Sequence, residues 1–117
     1  QTFMKTMIRE LPNTRVVFLA TIAPNQDTFS QAATNLSSEE SQIQADERIA
    51  YLKNHIAFAE NHSIPVINVY QKSLSEEGYG DEVFVNPDDN IHPSFEGVSL
   101  ISREMAEFVY NNEILPY

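Results

Sequence analysis

The amino-acid sequence predicts an α/β fold, and three observations carry the prediction. Helical and strand patterns alternate along the 117 residues in the order α-β-α-β-α. The two strand-like runs, Thr14 to Ile22 and Ile64 to Tyr70, are continuously apolar and rich in β-branched residues, as in strands covered on both faces. A long helical segment separates them, so the two strands should run parallel and be joined by a right-handed crossover.

The first helix is read from Phe3, Met4, Met7, Ile8 and Leu11, whose spacings of 1, 3, 1 and 3 place them on one helix face within residues 1–11. Pro12 and Asn13 stop it. After the first strand, residues 23–38 are dominated by Pro, Asn, Gln, Asp, Ser and Thr and read as a loop. Ser37 followed three residues later by Glu40 is a capping box. The helix it opens carries Ala45, Ile49, Leu52, Ile56 and Ala59 at spacings of 4, 3, 4 and 3 and runs to about Asn61. Pro65 is tolerated near the start of the second strand.

Gln71 to His92 reads as a second long loop, with Gly78, Gly80, Pro87 and many acids. Pro93 is placed to open the last helix. There Val98, Ile101, Met105, Phe108 and Asn112 keep helical spacing, and Glu96 suits the positive end of the helix dipole. Gly97 sits inside this helix at a cost of about 1 kcal/mol relative to alanine. It therefore marks a close approach to another backbone. Two parallel strands cannot by themselves form a sheet that buries both faces. Further strands are expected from the rest of the same protein or from a second copy.

Composition narrows the partners. Seven Lys and Arg against 17 Asp and Glu leave a net charge of −10, which argues against nucleic acid and anionic bilayers, since both need a basic face. Cysteine is absent, which removes disulfides, thiolate metal sites and cysteine nucleophiles. No run approaches the roughly 18 apolar residues of a membrane span. No basic region precedes an apolar one at the N-terminus, so no signal peptide is visible and no compartment is indicated. The chain begins Gln1-Thr2-Phe3, which suggests processing or a piece cut from a longer protein.

Both long loops follow the carboxyl ends of the strands, the edge where open α/β sheets bind ligands. The second ends in Asn86-Pro87-Asp88-Asp89-Asn90-Ile91-His92-Pro93. A short turn can fold Asp89 back so that its carboxylate accepts the Nδ1–H of His92. That bond leaves Nε2 free and stabilises the imidazolium, the pattern of an oriented general base. Asp88 is an alternative partner with a less direct return. The plainer reading is a capped turn ahead of a helix.

The stretch Asp89-Asn90-Ile91-His92-Pro93-Ser94-Phe95-Glu96-Gly97-Val98 resembles the closing block of the SGNH/GDSL hydrolases. In that family a D-x-x-H-P stretch supplies the acid and base of a Ser-His-Asp triad, and a glycine follows in the closing helix. VVFLATIAPN resembles the family's fourth strand and its loop. YLKNHIAFAENHSIPVINVY is similar to its crossover and fifth strand, and SLISREMAEFVYNN to its C-terminal helix. The resemblance implies a three-layer α/β/α, flavodoxin-like parallel sheet, of which residues 1–117 would be one partial domain, the C-terminal half. It implies a serine esterase or acylhydrolase with Asp89 and His92 as catalytic acid and base, and neither cofactor nor metal. The substrate would be an ester: an acylated sugar, a lipid or a thioester.

The family's G-D-S nucleophile motif and its oxyanion glycine and asparagine loops have no counterpart here. Gly78, Gly80 and Gly97 are the only glycines, and none adjoins an Asp-Ser pair. The missing N-terminal half would supply those groups, and the chain alone is expected to be inactive. The rival expectation is a non-catalytic acidic α/β module that binds a partner or itself, as a homodimer formed by strand pairing or exchange.

Other residues carry weaker signals. His55 and His62 lie seven apart, about 10 Å along a helix, too far to share one ion, and are expected on an exposed face. Ser94 is near His92, but a turn or capping role outweighs a nucleophilic one. Glu76, Glu77, Asp81 and Glu82 read as a solvated loop rather than a calcium site. Tyr70, Tyr79 and Phe84 either line a cleft beside His92 or pack ordinarily.

Overall fold

The computed structural model describes residues 2–115. Helix α1 spans Thr2–Glu10, strand β1 Phe18–Ala20, α2 Gln31–Thr34, α3 Ser38–Asn61, strand β2 Val66–Asn68, α4 Val69–Lys72 and α5 Phe95–Asn111. A 3-10 turn covers Glu82–Phe84. The fold is mixed α/β, and the two strands pair in parallel with Phe18 opposite Val66, Leu19 opposite Ile67 and Ala20 opposite Asn68.

The two sheet faces are covered by different helices, which is why both strands read as unbroken apolar runs. Phe18, Ala20 and Val66 join Leu52, Ile56 and Tyr70 in a cluster that includes the inner face of α3. Leu19 and Ile67 join Val69, Val85, Leu100 and Phe108 in a second cluster against α5. The capping box forms as read. Ser37 Oγ accepts the Glu40 N–H at 3.3 Å, and Glu40 accepts the Ser37 N–H at 2.9 Å.

Both strands are shorter than the apolar runs that announced them. The ladder holds three residues on each side. Beyond Ala20 the chain turns to other partners: the Ala23 N–H donates to Ser73 Oγ at 2.8 Å. At the end of β2, Asn68 Oδ1 accepts the Gln71 N–H at 3.0 Å and caps α4. A short polar side chain that competes for backbone donors starts a helical turn where a further strand residue was expected. The 23–38 loop likewise contains α2, a single turn bounded by Ser30 and Asn35, both in the left-handed region.

The last helix begins two residues later than expected. Ser94, not the residue before Pro93, is its N-cap and accepts the Gly97 N–H at 3.0 Å. Pro93 instead bridges to Val85. Gly97 shows the close approach that its position predicts. A Cβ there would lie 2.3 Å from the Phe84 carbonyl oxygen.

Helix α1 forms with the expected apolar stripe, but none of its residues is buried, and Phe3 is 72% exposed. The radius of gyration of 15.8 Å exceeds the roughly 13 Å of a compact chain this long, in keeping with a helix that stands off the core.

Candidate active site

The residues from Val85 to Pro93 form a closed loop ahead of α5. The Val85–Pro93 bridge ties its ends, and the Asn86 N–H donates to the His92 carbonyl at 2.8 Å. Inside it, the Asn90 N–H donates to the Asn86 carbonyl at 2.8 Å, which tightens the turn carrying Asp89 and His92. The loop is pressed onto the body of the protein by Ser94, whose N–H donates to the Phe84 carbonyl at 2.9 Å and whose Oγ donates to the Val83 carbonyl at 2.6 Å. These two bonds and the Gly97 contact fix where α5 starts, and so where His92 stands.

Within this loop Asp89 folds back on its own chain. Its Oδ1 accepts the Ile91 N–H at 2.8 Å and the His92 N–H at 3.0 Å. Its Oδ2 lies 2.6 Å from His92 Nδ1. The ring, then the His92 and Ile91 backbone N–H groups, hold the Asp89 carboxyl down at about 2. An ionised Asp89 makes Nδ1 the donor and leaves the lone pair on Nε2. Asp88 does not take this part. It is exposed, and its N–H donates to Asn86 Oδ1 at 2.9 Å.

His92 faces a cavity of about 260 Å³ at the carboxyl end of β1. Thr21, Ile22, Ala23 and Pro24 line one side, Ile91 and Pro93 flank the histidine, and Phe29 and Arg48 complete the wall. Phe29 arrives through a link between loops. The Ser30 N–H donates to the Asn90 carbonyl at 3.1 Å, and the Ala32 N–H donates to Asn90 Oδ1 at 3.1 Å. Asn90 itself is left-handed, at φ 57°. Phe29, Arg48 and Asn90 escaped the sequence reading. An asparagine between two motif residues, a residue type that tolerates the left-handed region, was the one signal available for the last of them.

The remaining candidates settle as follows. Ser94 Oγ is engaged as cap acceptor and as donor to Val83, so it is a structural group. Tyr70 is buried in the first core cluster, Phe84 packs on the second, and Tyr79 is exposed; none lines the His92 cavity. His55 is less exposed than its position suggested, because its ring packs edge-on against Tyr51 and Phe18. His62 lies on Phe58 and its Nδ1 is 2.8 Å from the Phe58 carbonyl. Asp81 caps the 3-10 turn by accepting the Val83 N–H at 3.0 Å, while Glu76, Glu77 and Glu82 are exposed.

Among the described residues, no group of three or more carboxylate or histidine side chains is placed to hold a metal ion. No described helix is long and apolar enough to cross a membrane. Comparison of the chain with family models, curated proteins and solved structures found no match.

Proposed function

We propose that this chain is the C-terminal half of a serine ester hydrolase of the SGNH/GDSL type, a single partial domain that supplies Asp89 and His92. The observation that carries the reading is the 2.6 Å contact between His92 Nδ1 and Asp89 Oδ2 beside a cavity at the carboxyl end of a parallel sheet. On this reading β1 and β2 are the last strands of a larger flavodoxin-like, three-layer sheet. The N-terminal half supplies the other strands, the nucleophilic serine and the oxyanion donors.

In the assembled site His92 Nε2 takes the proton of the serine hydroxyl as the oxygen attacks the ester carbonyl. The resulting imidazolium is stabilised by Asp89, which stays ionised. His92 then passes the proton to the departing alcohol, and water attacks the acyl-enzyme by the same route in reverse. The test is His92→Ala in the protein that carries both halves. Ester hydrolysis should fall by orders of magnitude with the fold retained. Stoichiometric fluorophosphonate labelling of the 117-residue chain on its own would sink this division of labour.

A second reading, a self-associating acidic module, is favoured by one observation. The sheet has two strands, so among the described residues each strand has an edge with no ladder partner. A concentration-dependent dimer in sedimentation, with a protein indifferent to His92→Ala, would favour it over the hydrolase.

A further inference from the structure

Arg48 stands out among the arginines. Of the four arginines, Arg9 pairs with Glu10, Arg103 approaches Glu104, and Arg15 donates to the Glu113 carbonyl. Arg48 has neither an ion pair nor a side-chain hydrogen bond among the described residues. Its helix neighbours explain this. Three and four residues away on α3 lie Ala45, Tyr51, Gln44 and Leu52, none of them acidic. In a chain with 17 acids and seven bases, this guanidinium is left without a carboxylate, and it lines the cavity that His92 faces.

We infer that Arg48 makes this cavity a subsite for a carboxylate carried by the ester, so that the preferred substrate is a short-chain half-ester of a dicarboxylic acid. The inference rests on the hydrolase reading for the ester, and on the cavity alone for the carboxylate. Arg48 and His92 are the cavity's only ionisable lining groups, and the rest of the wall is mostly apolar. A guanidinium fork holds a carboxylate through two parallel N–H donors. The apolar wall from Ile22, Phe29 and Ile91 takes the methylenes between that carboxylate and the ester. At about 260 Å³ the cavity falls just below the roughly 300 Å³ at which pockets for drug-sized ligands begin, which limits the chain to a few carbons. Glu47 lies outside it, on an adjoining groove that also borders Arg48, Tyr51 and Gln44.

Monomethyl succinate and dimethyl succinate have the same carbon chain and differ in one charge. Titrating the 117-residue chain with each, followed by backbone amide resonances, tests the assignment. Saturable shifts should appear at Phe29 and Ile91. Monomethyl succinate should bind roughly two- to fivefold more tightly, the effect of one solvent-facing Arg–carboxylate pair. Arg48→Gln should erase the preference while keeping the dispersed spectrum of a folded chain, and Arg48→Lys should restore part of it. Equal binding of the two esters, no saturable shift with either, or a preference that survives Arg48→Gln would overturn the assignment. An anion preference in a two-half protein that cleaves no ester would instead sink the hydrolase reading and leave the subsite standing.

Discussion

Asn90 holds Ala32 across 58 residues of sequence: its Oδ1 accepts the Ala32 N–H at 3.1 Å, while its carbonyl accepts from Ser30. This clamp joins the loop after β1 to the loop that presents Asp89 and His92. It also uses a left-handed backbone that asparagine tolerates better than most residues.

Two substitutions separate these contributions. Asn90→Gly keeps the left-handed backbone and removes the side-chain acceptor, a loss of about 0.5–1.5 kcal/mol. Asn90→Ala removes the acceptor and adds about 1–2 kcal/mol of backbone strain. Urea denaturation should therefore rank wild type above Asn90→Gly above Asn90→Ala. Identical midpoints for the two variants would show that the left-handed turn is not maintained in solution.

The Asp89 carboxyl makes a pH-dependent contribution whose sign follows from its depressed value. Its folded pKa lies at about 2, below its ordinary value of 3.8. A carboxyl lowered by folding stabilises the native state above its unfolded pKa, and that stabilisation is lost as pH falls toward the folded one. The window is therefore about pH 4 to 2. The side-chain carboxyl resonance of Asp89 should titrate at the bottom of that window. His92→Ala removes the largest cause of the depression and should move the titration upward, though not fully, because the Ile91 and His92 backbone N–H groups still donate to Oδ1. An unchanged titration in His92→Ala would mean that the ring is not the partner.

Gly97→Ala tests how α5 is seated. In an exposed helix this change gains about 1 kcal/mol. Here the added methyl meets the Phe84 carbonyl oxygen at 2.3 Å, and a backbone atom cannot swing aside. Overpacking of this kind costs about 1–3 kcal/mol, so the net effect should be destabilising by thermal melt. The same shift should disturb the Val85–Pro93 bridge and the amide of His92.

What could be read from the sequence divides along physical lines. Helix α3 was legible end to end because local signals agreed: a capping box at Ser37 and apolar residues at helical spacing from Ala45 to Ala59. The parallel pairing was legible because both runs were apolar on both sides. Strand ends were not, since they depend on which partner the next backbone group finds. Ser73 takes the Ala23 N–H, and Asn68 turns its own chain into α4. At the site, Asp89 and His92 lie three apart and could be paired on paper. Phe29 and Arg48 reach the same cavity through tertiary contacts that no spacing encodes. Helix α1 shows the converse: its stripe predicts the helix correctly but does not say what, if anything, covers it.

The strongest prediction concerns the two site residues in a protein that carries both halves. If His92 is the base, His92→Ala removes its proton transfer and should lower kcat by about 10⁶, the size of the loss when a serine protease loses its triad histidine. On the same premise, Asp89 would act on the reaction through His92. Asp89→Asn keeps the size of the side chain but replaces an acceptor-only carboxylate with an amide that can donate its own N–H, so the ring is free to adopt the other tautomer. The cost should be about 10⁴, smaller than for the histidine. The double variant should be scarcely worse than His92→Ala alone, because residues that act as one unit are not additive. Steady-state ester hydrolysis by the three variants decides it. Additive losses would show that Asp89 contributes by some route other than orienting His92, and equal, small losses would show that neither residue belongs to a catalytic unit.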